Sequence, residues 1–371
     1  MTEYRYKISR EVEIEKWNKN LKNSSYANFF QTAEYLYSQN DKTKNPVFLY
    51  VEDCDGKIYG QLGLIIQKIP FIYSTKFLNP FAKIITLFGN RGSWAGGPII
   101  HANEKITRGK ILDKILEGLK EISQENNLII IDGYSPPLDN KIDNKYKKQF
   151  ENKEFSIENY LTYVSDLTRT EEDLWNDVHK SSKRDITKAQ KNNIIVKLLD
   201  KEHLDEFFEL SKIWAKTKGI EKSLKSEIKE KYWNYYQKGT EKVFLAFEDN
   251  ELISSHRIGC FNGIAYSHSI VNSYLKPGKV GGPFLTWYAL QWAKNNQMKS
   301  YDYSGGKDPN EFSRNKTLEK QWSSLMTYKK KWGGKEFPYY HFFKINKKYS
   351  YKIMRILLKI DWMIREKRKP S

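Results

Sequence analysis

The densest set of residues able to do chemistry lies late in the chain. Ser300-Tyr301-Asp302-Tyr303-Ser304-Gly305-Gly306 reads as a strand that ends in an acid and two glycines. Functional groups of open α/β sheets collect at strand ends. A carboxylate at Asp302 suits orienting or deprotonating an attacking amine, and it suits equally a cap on the Gly305-Gly306 turn. Upstream, Gly281-Gly282-Pro283 precedes an amphipathic helix. The free N–H groups and positive dipole end of such a helix can hold an anion or a developing oxyanion. A tight strand-to-helix turn would look the same. His256, Arg257 and His268 fall on neighbouring predicted strands. Alternate residues of a strand share a face, so His256 and Arg257 point opposite ways and one of them faces the cleft. A buried, hydrogen-bonded histidine is the commoner outcome for each ring.

A second constellation is basic. Lys180, Arg184, Lys188 and Lys191 are spaced by four, four and three residues. At roughly 100° per residue they line one face of a helix over 181–192, with Ile186 and Ala189 opposite. A basic stripe over an apolar back suits a phosphate-tracking surface, either a nucleic-acid backbone or a substrate diphosphate. A solvated helix face has the same pattern. The candidate catalytic groups are thus Asp302, Tyr303 and His256. The candidate substrate-binding groups are Lys180, Arg184, Lys188, Lys191, Arg257, His268, Gly281, Gly282, Tyr301, Gly305 and Gly306.

These groups need a scaffold, and composition bounds it. A chain of 371 residues exceeds what one core usually needs, so two domains are expected. Apolar residues make up 39% and aromatics 15%, enough for real cores. The mean hydropathy of −0.72 reflects surface Lys and Asn, because the apolar residues come in ordered runs. The net charge of +18 speaks of partners: a nucleic acid, an anionic membrane face or a polyphosphate substrate. A Lys-rich solvated surface gives the same total. The two cysteines, Cys54 and Cys260, form no Cys-x-x-Cys and have no ligand-like His nearby. Neither a zinc site nor a disulfide framework is expected, no metal is implied, and a reducing cytoplasm is the simplest home. Met1–Lys7 has no apolar h-region, so no signal peptide is expected. No apolar run approaches the length needed to span a bilayer.

Hydrophobic periodicity predicts a strand over Tyr4–Ile8, a short helix around Trp17 and another opening at Asn28–Tyr35. It predicts strands at Val47–Glu52 and Ile58–Lys68, joined by the Asp55-Gly56 hairpin signal. Residues 69–100 read as irregular. Ile106–Asn126 is an amphipathic helix, Leu128–Asp132 a short buried strand, and the polar run to Lys153 reads as punctuation. A strand over Tyr163–Leu167 follows, then a capping box at Thr170–Asp173 that starts a helix. Ile194–Leu199 is a strand, and Leu204–Lys216 and Lys225–Gln237 are helices. Val243 then begins a strand ladder leading to Gly281 and Asp302.

The order repeats. Val47-Phe48-Leu49 running to Glu52-Asp53 echoes Val243-Phe244-Leu245 running to Glu248-Asp249. Gly96-Gly97-Pro98 echoes Gly281-Gly282-Pro283. Each Gly-Gly-Pro leads through an amphipathic helix to a strand containing an acid, Asp132 or Asp302. The expected fold is α/β, a mixed sheet with flanking helices in two duplicated halves. The boundaries are 1–160 and 161–334, with segment 335–371 available to complete the first half.

Four stretches in this order resemble the FemABX peptidyltransferases, relatives of the Gcn5-type N-acetyltransferase (GNAT) fold. They are Phe30-Gln31-Thr32, the helix containing Lys183-Arg184-Asp185-Ile186 and Lys188-Ala189-Gln190-Lys191, the segment Tyr301–Gly306, and Lys329-Lys330-Lys331-Trp332-Gly333-Gly334-Lys335. The resemblance spans roughly residues 25 to 345. It implies tandem acetyltransferase-like halves with the cleft lined by the second half's central strands. It also implies transfer of an aminoacyl group from aminoacyl-tRNA to an amine of a cell-wall peptidoglycan precursor. Aminoacyl-tRNA is then a co-substrate and no bound cofactor is needed. The partner is a phosphate-bearing precursor, either nucleotide-sugar or lipid-linked. The chain lacks the long coiled-coil arm of some members and an intact acyl-CoA signature around Lys276–Pro283. Acyl transfer to an amine requires no covalent nucleophile, which agrees with the absence of a Gly-x-Ser-x-Gly elbow. An acyl-CoA-dependent N-acyltransferase of the same fold is the alternative, and a non-catalytic RNA-binding protein is the third reading. The basic amphipathic tail 349–369 suits docking on the core, or peripheral contact with an anionic membrane at its inner face.

Overall fold

A computed structural model of the protein describes residues 3–69, 89–217, 226–273, 281–308 and 316–366. The chain divides into two compact units, Met1–Glu158 with Tyr339–Ser371, and Asn159–Pro338.

Unit 1 begins with β1 (Tyr4–Ser9), α1 (Ile14–Leu21) and α2 (Ala33–Ser38). The hairpin β2 (Lys44–Asp53) and β3 (Ile58–Lys68) follows, its turn carried by Gly56 at φ 78°. Then come β4 (Asn90–Trp94), β5 (Ile99–Ile100), α3 (Lys105–Glu125), β6 (Leu128–Tyr134) and α4 (Asn144–Asn152). Ile111, Leu112, Ile115, Leu116, Leu119 and Ile122 of α3 are all buried, as their spacing predicts, and they form one core with β2 and β3.

Unit 2 is entered along β7 (Ser156–Asp166), α5 (Glu171–Asp177), α6 (Lys180–Lys191) and β8 (Ile195–Leu198). The Thr170 hydroxyl accepts the Asp173 N–H at 3.1 Å and caps α5. Next are α7 (Leu204–Thr217), α8 (Ser226–Tyr236), β9 (Glu241–Glu248), β10 (Glu251–Phe261) and β11 (Ile264–Asn272). Then follow α9 (Gly281–Asn295), β12 (Ser300–Asp302), β13 (Gly306–Lys307) and α10 (Lys316–Lys330). The chain closes with β14 (Lys335–Ile345) and α11 (Lys348–Glu366), which return to unit 1 from Tyr339 onward.

Both units follow one plan. In unit 1 the strand order is β1-β2-β3-β4-β6-β14, with β4 and β6 parallel and the other pairs antiparallel. In unit 2 it is β8-β9-β10-β11-β12-β7, with β11 and β12 the parallel pair. Each unit runs strand, helices, antiparallel hairpin, strand, long helix and parallel return strand. A parallel pair needs a crossover, and α3 and α9 supply it. The fold is therefore mixed α/β with tandem duplicated halves.

Three stretches depart from the sequence expectations. Part of the segment read as irregular is β4 and β5, while residues 70–88 lie outside the described residues. Gly92 hides β4 from a propensity reading; a Cβ there would stand 2.7 Å from Leu128 Cδ1, so the Leu128 side chain would have to give way. The polar run before Lys153 contains α4, which buries Tyr146 and Phe150 one turn apart and is capped by Asp143 at 2.9 Å from the Tyr146 N–H. β7 begins at Ser156, well before Tyr163.

Phe342 of β14 is fully buried in unit 1 and stacks on Phe150 with ring centroids 3.8 Å apart. Emptying such a site removes both the transfer free energy and the contacts around the cavity left behind. Phe342→Ala is expected to destabilise unit 1 by about 3–5 kcal/mol. In hydrogen exchange the amides of β2, β3 and β6 should lose protection while those of β9 to β11 keep theirs. Uniform loss, or none, would contradict the placement.

Candidate active site in the second unit

The parallel register of β11 and β12 runs Ile264 to Ser300, Ala265 to Tyr301 and Tyr266 to Asp302. There the pairing stops. Beyond it lies a cavity of about 430 Å³, bordered by Ser267 and His268 from β11, Thr286 from α9, Tyr303 and Ser304 after β12, and Lys329 from α10.

Lys329 is the ionisable group the structure brings forward. It is buried, whereas its neighbour Lys330 is exposed. Its Nζ donates to the Ser304 carbonyl at 2.6 Å and to the Gly305 carbonyl at 2.9 Å. Burial pulls its pKa down to about 8, opposed by the charge of Asp302. The turn after α10 makes this reach possible. Gly333 has φ 80° and would place a Cβ 2.3 Å from Asp177 Cβ, and Gly334 would place one 2.8 Å from the Val164 backbone. A side chain at Gly333 would force this turn away from the end of α5, and one at Gly334 would force it away from β7.

Asp302 is buried and does not border the cavity. Its Oδ1 accepts the Thr162 hydroxyl at 2.5 Å and the Ser304 N–H at 2.7 Å. Burial raises its pKa to about 6, against those two donors and Lys329. Ser304 itself sits in the left-handed region at φ 60°, which is uncommon for a residue with a Cβ. Asp302 holds its N–H and Lys329 holds its carbonyl, so the two charged groups fix the conformation between them.

Tyr301 and Tyr303 fall on the other face of the strand, with ring centroids 5.0 Å apart. The Tyr303 hydroxyl meets Ser165 at 3.0 Å. The Tyr301 hydroxyl lies 3.3 Å from His256 Nε2, and Ser267 Oγ lies 3.0 Å from the same nitrogen. His256 Nδ1 is 3.3 Å from the Leu285 carbonyl, which leaves Nε2 as the acceptor. Burial lowers the His256 pKa to about 4. This neutral ring lies behind the wall and orients Ser267, which borders the cavity.

Arg257 points the opposite way, as strand alternation requires. Its Nε donates to the buried Glu241 at 2.8 Å, and the guanidinium lies over Tyr232. His268 Nδ1 and the Tyr232 hydroxyl reach the same carboxylate at 3.2 and 2.9 Å. Burial works against a charged Glu241, yet Arg257 and His268 hold its pKa below the usual range. Of the two strand residues, Arg257 is committed to Glu241, while His268 joins that network to the cavity wall.

Gly281 and Gly282 are the first residues of α9 rather than a turn before it, and both are buried. A Cβ on Gly281 would lie 2.7 Å from Ser254 Cβ, and one on Gly282 would lie 2.7 Å from Asn272 Oδ1. These glycines let α9 press onto β10 and β11. Residues 274–280 lie outside the described residues. Gly305 contributes its carbonyl to Lys329, and Gly306 opens β13 beside Leu161.

Lys180, Arg184, Lys188 and Lys191 are all exposed on one side of α6, while Ser182, Ile186 and Ala189 are buried on the other. None of the four has a carboxylate within salt-bridge distance among the described residues, and none borders the cavity. The spacing reading missed Lys329, Ser267, Ser304 and Thr286. Lys329 stood inside a recognised motif, but three consecutive lysines gave no sign of which one is buried.

The raised pKa of Asp302 has a consequence for stability. Between pH about 4 and 6 the folded chain holds this proton and the unfolded chain releases it, so the contribution of Asp302 to stability falls as pH rises. Relative to Asp302→Asn, the wild type should lose about 3 kcal/mol across that window in urea unfolding. A difference that stays flat would show that Asp302 is not desolvated as described.

No protein-family model and no curated protein sequence matches the chain. Among solved structures it is similar to FemX, at TM-score 0.68 and 12% identity over 94% of this chain and 99% of that one. It is also similar to L-PGS from Bacillus licheniformis, at TM-score 0.56 and 13% identity over 98% and 100% of the two chains. A third likeness is to a tandem GNAT protein from the clavulanic acid biosynthesis pathway, at TM-score 0.53 and 10% identity over 92% and 98%. At these identities the likeness fixes the fold. The chain thus has the tandem acetyltransferase-like architecture that FemX, L-PGS and the tandem GNAT protein share.

Proposed function

We propose that unit 2 is an acyltransferase that moves an aminoacyl group from aminoacyl-tRNA onto an amine of a cell-wall or surface-polymer precursor. The observation that carries this reading is Lys329, a buried lysine held by two carbonyls at the mouth of a parted parallel strand pair. Aminolysis of an ester needs little more. The amine nitrogen attacks the ester carbon, the N–C bond forms, and negative charge builds on the carbonyl oxygen. The C–O bond then breaks, and a proton from the amine passes to the departing ribose oxygen. A preorganised cation in a water-poor site stabilises the oxyanion of the intermediate. Lys329 supplies it, and Asp302 keeps that lysine charged from behind. Ser267, oriented by His256, and Ser304 offer hydroxyls for aligning the reacting groups.

Support for the tRNA donor comes from the resemblance to FemABX proteins, the likeness to FemX and L-PGS, and the exposed basic stripe on α6. The likeness to the tandem GNAT protein favours a second reading, an acyl-CoA donor. Separate assays with charged tRNA and with acyl-CoA, each with an amine-bearing nucleotide-sugar precursor, decide between them by mass change of the acceptor. Modification in neither, together with salt-sensitive RNA binding that survives Lys329→Met, would leave only the RNA-binding reading.

Lys329→Met is expected to lower kcat by about 10²–10³-fold with KM little changed, the effect of removing one oxyanion donor. Activity needs Asp302 ionised and Lys329 protonated. The profile of kcat/KM against pH should therefore fall below about 6 and above about 8. Asp302→Asn should remove the acid limb and shift the alkaline limb downward, because the lysine loses its stabilising anion. A profile unchanged by Asp302→Asn would rule out this pairing.

Arg184→Ala with Lys188→Ala is expected to raise KM for the phosphate-bearing substrate and to flatten its dependence on salt by about two phosphate contacts. Unchanged KM would take the α6 stripe out of substrate binding.

A further inference from the structure

We infer that α11 is a membrane-surface helix, and that unit 1 rests through it on an anionic bilayer. This goes beyond the transfer reading and does not depend on it.

The helix has two apolar sides. One is used by the protein. Met354 is buried, and Tyr351 and Leu357 are partly so, in a cluster with Ile69, Ile129, Ile130, Phe343 and Ile345. The other side is open. Tyr349 is 84% exposed, Ile353 46%, Ile356 59% and Met363 42%. Spaced by four, three and seven residues, they fall within a sector of about 80° on the helix. Large apolar side chains rarely stay exposed in such alignment unless something covers them.

The chemistry beside the stripe says what covers it. Lys348, Lys352, Arg355 and Lys359 are exposed and cluster along one flank of the stripe. None of them has a carboxylate within salt-bridge distance among the described residues. Long basic side chains beside an apolar stripe can bury their stems and keep their charges at the headgroup level. A second copy of this face would bring like charges together along the seam. A nucleic acid would satisfy the cations and leave the stripe wet. An anionic bilayer surface satisfies both. Among the described residues no helix is long and apolar enough to cross a membrane, so α11 lies in the interface rather than spanning it.

The test is flotation of the full chain with phosphatidylglycerol/phosphatidylcholine vesicles and with phosphatidylcholine vesicles, at low and high salt. The wild type should bind the anionic vesicles with a strong preference over the neutral ones, and salt should weaken that binding. Ile353→Ser with Ile356→Ser should reduce binding at least tenfold. Lys352→Gln, Arg355→Gln and Lys359→Gln together should reduce it about a hundredfold and erase the lipid preference. All five positions are exposed and lie outside the cavity, so circular dichroism and the transfer assay should be unchanged. Absence of vesicle binding, or equal binding to both vesicle types, would overturn the inference. So would a dimer on gel filtration that Ile353→Ser with Ile356→Ser dissolves, since that would make a second copy the occupant.

Discussion

Unit 2 depends on keeping an ammonium and a carboxylate out of water together. Each would be costly alone, because a buried charge loses its hydration and must recover it from fixed dipoles. Lys329 recovers part of it from two carbonyls, and Asp302 from a hydroxyl and a backbone N–H. Ser304 belongs to both sets, and its left-handed backbone is the link that lets one turn serve two opposite charges. The glycines at 333 and 334 then follow from geometry, since only a chain without side chains can pass so close to Asp177 and Val164. Lys329 is thereby held in place by the protein itself.

Duplication throws the site into relief. In unit 1 the corresponding return strand, β6, carries Asp132. Arg91 of β4 grips that carboxylate with two bonds of 2.7 Å, and His341 of β14 lies 3.3 Å away. Burial opposes charge there too, yet His341 and Arg91 hold the Asp132 pKa below the usual range. In unit 2 the same topological position holds an acid whose pKa is raised, beside a lysine whose pKa is lowered. One scaffold therefore houses a direct ion pair in the first copy, and in the second an acid and a lysine joined through Ser304. The proposed function rests on this second pair.

The positive charge of the chain is also organised. The α6 stripe lies over a buried back on unit 2, and the α11 flank lies beside an open apolar stripe on unit 1. The first arrangement suits a polyanion with no apolar part, the second a surface that has both. A single net charge of +18 conceals this difference, because it counts lysines without placing them.

The sequence alone determined the architecture. Periodicity located α3 and β9 to β11, Thr170 marked a helix start, Asp55-Gly56 marked a hairpin, and repeated Gly-Gly-Pro order disclosed two similar halves. These signals are local, and the chain expresses them wherever it goes. β4 and α4 escaped because their identity rests on neighbours: Gly92 is a strand residue because β3 and β6 pair with it on either side, and Tyr146 and Phe150 make a helix amphipathic only once Phe342 arrives from the far end of the chain. The site shows the same division. Asp302 and the glycine motifs were legible as types and spacings. Lys329 was one lysine among three, and His256 one ring on a strand, until packing decided which charge lost its water. Desolvation depends on everything folded around a group, so tertiary structure alone could set the pKa values on which the proposed chemistry rests.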